Sequence, residues 1–113
     1  MLMPELHVRK YTTPRALVSA IVARFKWMEE MDLRVGAAWM HPTDIATLSK
    51  DSAVFDRMAQ QISQQIKPDL RGHFFGVLVF ESSVVPEEHI VLLPAGFDLM
   101  NVKLLGPEAS IRL

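Results

Sequence analysis

The order of its apolar periodicities predicts an α+β fold for this chain. A long N-terminal helix and two shorter helices should pack on a mainly antiparallel sheet of roughly four to five strands. Three observations predict it. Apolar residues recur at helical spacing from Leu17 to Met28, and again from Phe55 to Ile66. One short apolar run, Val35–Met40 (VGAAWM), lies between those helical stretches. From His73 onward the chain becomes β-branched and aromatic, and the stretch Gly76 to Pro94, GVLVFESSVVPEEHIVLLP, has two apolar runs around a polar break.

Residues 1–12 are mixed and contain Pro4, as an arm or a short strand would. Thr13 then Pro14 make a helix start: a side-chain oxygen that can cap, then a residue that needs no N–H partner. The helix should run to about Asp32. Leu17, Ile21, Phe25 and Met28 form its apolar stripe, and Ala16, Ala20, Ala23, Trp27 and Met31 lie beside it as a second one. Small residues at these steps let another backbone approach closely, so the second stripe is the candidate interface. Val35–Met40 reads as a buried strand. His41-Pro42-Thr43-Asp44 ends it and opens a short helix with Ile45 and Leu48 facing inward. Asp51 or Ser52 should cap a third helix, with Phe55, Met58, Ile62 and Ile66 as its stripe and Pro68 beyond its end. His73 to Glu81 reads as one strand buried on both faces. Ser82 to Glu88 is the turn, His89 to Pro94 the return strand, and Ala95-Gly96 a second turn. Phe97–Leu105 and Ser110–Leu113 complete the sheet. This places the Gly76–Pro94 hairpin at the sheet's centre, flanked by Val35–Met40 and Phe97–Leu105.

The 113 residues make one domain, 1–113. Half of them are apolar, a high share for so short a chain, which favours a second copy covering part of the surface. The net charge of −1 gives no reason to expect nucleic acid or a membrane surface as partner. Residues 1–28 are mildly basic and 72–113 mildly acidic. With no cysteine there is no disulfide, zinc knuckle or thiol nucleophile. No apolar run reaches the roughly 18–20 residues of a membrane span, and the first twelve residues lack the layout of a signal peptide. An intracellular protein is expected.

Chemistry is scarce. The histidines, His7, His41, His73 and His89, form no pair at metal-ligand spacing. His41 with Asp44 comes nearest, but Asp44 suits a helix N-terminus and His41 a turn. Gly72, Gly76 and Gly96 form no phosphate loop. Ser82-Ser83 lacks the glycines of a nucleophile elbow. Glu29-Glu30 and Glu87-Glu88 are adjacent pairs that read as solvated surface. Trp27 and Trp39 lack the basic surround of a base-stacking platform. No catalytic, metal-binding or cofactor-binding residue is assigned.

Two segments carry a resemblance. The first is Trp39-Met40-His41-Pro42-Thr43-Asp44, followed by Leu48. The second is Phe75-Gly76-Val77-Leu78-Val79, then Ser82 or Ser83, Val85-Pro86 and Ile90 to Leu93. Together they resemble the C-terminal, P-domain-like half of tailed-phage major capsid proteins and related small phage and prophage proteins. There a Trp-x-Met-Asn-Pro-like motif ends a strand, and a Gly-x-Pro-Val strand precedes a Ser and a Met-Pro turn. The motif residues are structural: Trp39, His41, Pro42 and Asp44 redirect the chain, Gly76 admits close backbone approach, and Pro86 ends pairing. The resemblance covers residues 35–94. Leu78 stands where the family often has proline and His41 where it often has asparagine. The family's long N-terminal arm and extended loop have no counterpart in these residues.

The resemblance implies a non-enzymatic structural or assembly protein that self-associates as a homo-oligomer, in the host cytoplasm or the virion, with other virion proteins as further partners. Exposed strand edges at Phe97–Leu105 or Ser110–Leu113 would be pairing sites. Two other readings are weighed beside it. One is a small-barrel, Sm-like adaptor or nucleic-acid-binding module, which the missing basic surface disfavours. The other is a small-molecule enzyme using His41 and Asp44.

Overall fold

The computed structural model describes residues 10–50, 55–56, 69–96 and 109–113, with the side chains of 55–56 left aside. Helix α1 spans Pro14–Glu30. Thr13 caps it, its hydroxyl accepting the Ala16 N–H at 3.3 Å. The far end closes as a Schellman motif: the Asp32 N–H bonds the Glu29 carbonyl at 2.9 Å, and the Leu33 N–H bonds the Met28 carbonyl at 3.2 Å. Asp32 takes the left-handed position there, with φ 59°.

Strand β1 (Val35–Met40) leads directly into helix α2 (Pro42–Leu48). His41 caps α2 through Nδ1, which accepts the Thr43 N–H at 3.1 Å. Strands β2 (Phe55–Asp56), β3 (Leu70–Phe74), β4 (Val77–Glu81), β5 (His89–Pro94) and β6 (Ile111–Arg112) follow. The described strands form a six-stranded sheet in the order β2-β3-β4-β1-β5-β6.

This α+β architecture corrects the expected one in three respects. First, the sheet is mixed. β1 runs parallel to β4 (Ala37 beside Leu78, Met40 beside Glu81) and antiparallel to β5. The two halves of the Gly76–Pro94 stretch therefore never pair with each other, because β1 lies between them. Second, the single strand expected over His73–Glu81 is a hairpin. β3 and β4 are joined by Phe75 and Gly76, with φ 47° and 80°, the positive values a type I′ turn requires. Third, the described residues contain two helices rather than three. Phe55 and Asp56, assigned to a third helix, are extended and pair with Phe74 and His73. That pairing takes Phe55 out of the helical stripe. The rest of that helix and the Phe97–Leu105 strand lie outside the described residues.

The main core lies between α1 and one sheet face. Leu17, Ile21, Phe25 and Met28 pack against Ala38, Met40, Phe74, Val79 and Ile90. Phe25 meets Phe74 edge-on, with ring centroids 5.9 Å apart. Ala37, Leu70 and Phe80 form a smaller buried cluster, with Trp39, Leu78 and Leu93 packed against it. Trp39 stacks on Phe80, its neighbour across the parallel pair, at 5.1 Å.

The β1–β5 register shifts between Val35 and Ala37. At Gly36 an added Cβ would fall 2.8 Å from the Ala95 Cα, a backbone atom that cannot swing aside. Gly36→Ala should therefore separate the two strands at this end and lower unfolding free energy by about 1–3 kcal/mol, as overpacking does. A urea titration checks this; an unchanged midpoint would contradict the close approach.

Candidate functional site

Three places bear on function: the loop that crosses the end of β1, a polar cleft beside it, and the outer face of α1. The chain leaving β4 must pass over the carboxyl end of β1 to enter β5. It begins with the Ser82 N–H on the Met40 carbonyl at 2.9 Å. It ends at Glu88, which is 3% exposed and left-handed, with φ 62°. The Glu88 N–H donates to Oδ2 of Asp44 at 2.8 Å, and Asp44 has no exposed surface. The Glu88 carbonyl accepts the Leu113 N–H at 2.8 Å. Its side-chain carboxylate accepts the Lys10 N–H.

The expected motif residues thus divide. Pro42 and Asp44 open α2, and Asp44 meets the loop that carries Pro86. Pro86 offers its carbonyl to the His89 N–H at 3.2 Å. Trp39 belongs to the smaller core on the sheet, and Gly76 lies at the opposite end of β4. Glu88 is the residue that sequence reasoning placed wrongly: it is buried, not solvated. The signal for it is weak, a seven-residue turn longer than the usual hairpin connection of 2–5 residues.

The cleft is open and measures about 400 Å³, lined by Pro42, Asp69, Arg71, Glu81, Ser82 and Ser83. It sits at the carboxyl ends of the parallel strands β1 and β4, where α/β sheets often bind ligands. Its guanidinium is already engaged: Arg71 Nε lies 2.5 Å from Glu81 Oε2. Among the described residues, no histidine lines the cleft to act as base for Ser82 or Ser83. His41 is occupied with the Thr43 N–H, and His89 Nδ1 lies 2.9 Å from the Glu87 carbonyl. Among the described residues, no three of His, Asp and Glu gather as a metal-holding group, and no helix is long and apolar enough to cross a membrane.

The outer face of α1 carries the candidate interface residues. Ala16, Ala23, Trp27 and Met31 are exposed, Trp27 at 44% and Met31 at 48%. Ala20 is half-buried and packs on the main core. Phe75 lies beside the other flank of the helix. It is 66% exposed and borders a groove with Val18, Val22 and Ala23. An aromatic side chain is disfavoured at a left-handed turn position and in water, and Phe75 occupies both.

The chain matches no protein-family model, no curated protein and no solved structure. Its function is therefore argued from its own residues.

Asp44 acts as an acceptor for a buried N–H. Asp44→Ala should cost about 1–3 kcal/mol by leaving the Glu88 N–H unpaired, and Asp44→Asn, which keeps an acceptor oxygen, should recover much of that loss. Equal losses in a urea titration would contradict the acceptor role.

Proposed function

We propose that this protein is a non-enzymatic, self-associating structural module of the phage or prophage assembly type, working through a surface rather than a pocket. The observation that carries the reading is the row of exposed apolar side chains on the outer face of α1, Trp27 and Met31, with Phe75 bordering the same helix. Large exposed apolar groups such as Trp27 and Met31 on one helix face favour a protein partner over water. The disposition of the polar groups supports the same reading. Asp44 and Glu88 bind backbone N–H groups, His41 caps a helix, and Arg71 pairs with Glu81. None of these is arranged as a nucleophile with its base.

The phage assignment rests on the resemblance over residues 35–94. It brings with it other virion proteins as further partners, and the host cytoplasm or the virion as location.

Light scattering across a dilution series tests the reading. The expected mass is a fixed multiple of the 12.8 kDa chain. Ala23→Glu should reduce it to the single-chain mass while circular dichroism stays unchanged. Ala23 is the better probe than Ala20 because its side chain does not serve the core. A single-chain mass at every concentration would overturn the proposal.

A further inference from the structure

The outer face of α1 is asymmetric in size and in charge, and both asymmetries have the same solution. Its N-terminal half offers small groups: Ala16, Ser19 and the half-buried Ala20. Its C-terminal half offers Trp27 and Met31, both exposed. Its charges run against the helix dipole. The first turn holds no acid but does hold Arg15, and the last turn holds no base but does hold Glu29 and Glu30. Each is placed where the helix's own partial charge has the same sign.

We infer, building on the self-association proposed above, that a second copy of this chain docks on this face with its α1 antiparallel to the first. An antiparallel partner sets each Trp27 over the small side chains of the other helix. It also opposes the two helix dipoles. Arg15 and Glu30 are separated by about four turns and lie on the same flank of the helix, at 3.6 residues per turn. Residues on one flank at opposite ends meet across an antiparallel pair, so Arg15 of each copy faces Glu30 of the other. In the same register Lys26 faces Ser19 rather than another cation. A parallel partner would set Trp27 beside Trp27 and leave the Arg15 flanks on opposite sides of the seam, so neither Arg15 would meet Glu30. The arrangement is isologous, with one patch meeting itself about a two-fold axis.

Charge reversal tests the geometry. Arg15→Glu and Glu30→Arg are surface changes that both improve the match to the helix dipole, so both variants should fold. Each alone sets like charges at both ends of the pair and should weaken dimerisation about ten-fold at low salt. Mixing the two variants restores opposite charges at both contacts, so a heterodimer of near wild-type affinity should form. Light scattering of each variant and of the mixture reads this out. If wild type dimerises and each variant dimerises equally well, antiparallel pairing is overturned while self-association stands. If the two-variant mixture gains nothing over either variant alone, Arg15 and Glu30 do not face each other and the inference is overturned. If wild type is a single chain throughout, both the inference and the assembly reading fall.

Discussion

The buried carboxylate of Asp44 accepts the N–H of Glu88 and anchors the point where the crossing loop enters β5. β4 and β5 sit on opposite sides of β1, so the chain between them must cross the end of a strand whose last carbonyls need partners. Ser82 meets one of them, on Met40, at the start of the crossing, and Glu88 ends it. A left-handed, buried glutamate is an expensive residue unless its polar groups are all met. Here the N–H goes to Asp44, the carbonyl to Leu113 and the carboxylate to Lys10. One residue thereby ties helix α2, the crossing loop, the segment before α1 and the end of β6.

How much of this was legible depends on the range of the interaction involved. Local signals carried α1, β1 and α2: Thr13-Pro14, the four-residue stripe from Leu17 to Met28, and the run VGAAWM closed by His41-Pro42. Each is decided within a few residues of itself. The strand pairing was not legible, because nothing in the sequence of Val77–Glu81 or His89–Pro94 says that Val35–Met40 will lie between them. The length of the 82–88 turn was the one hint, since a strand spacing of about 4.8 Å must be crossed twice. Phe75-Gly76 was misread as strand because phenylalanine is a strand former and a rare residue in a type I′ turn. The stripe from Phe55 had helical spacing, yet pairing with β3 fixed Phe55 and Asp56 as strand.

The candidate surface was more legible than the candidate chemistry. The second apolar stripe on α1 follows from the 3.6-residue period alone, and only Ala20 is drawn inward from it. By contrast, the burial of Glu88 required the tertiary crossing to exist first. Around α2 and the crossing loop, Asp44, Glu88 and His41 bind backbone N–H groups. Among the described exposed large apolar residues, Trp27 and Met31 lie on the outer face of α1, Phe75 on a turn beside the helix's other flank, Leu33 just past the helix and Val84 in the crossing loop. Phe75 stands out among them, because a turn chosen for local stability alone would carry asparagine or glycine there.

If copies of the chain meet as proposed, the exposed outer face of α1 becomes covered. Hydroxyl-radical footprinting measures it most directly, because Trp, Met and Phe side chains oxidise in proportion to their contact with water. Oxidation of Trp27 and Met31 should fall as protein concentration rises, while the buried Met28 and Met40 stay protected throughout. Oxidation of Trp27 and Met31 that is the same in dilute and concentrated samples would contradict self-association through this face.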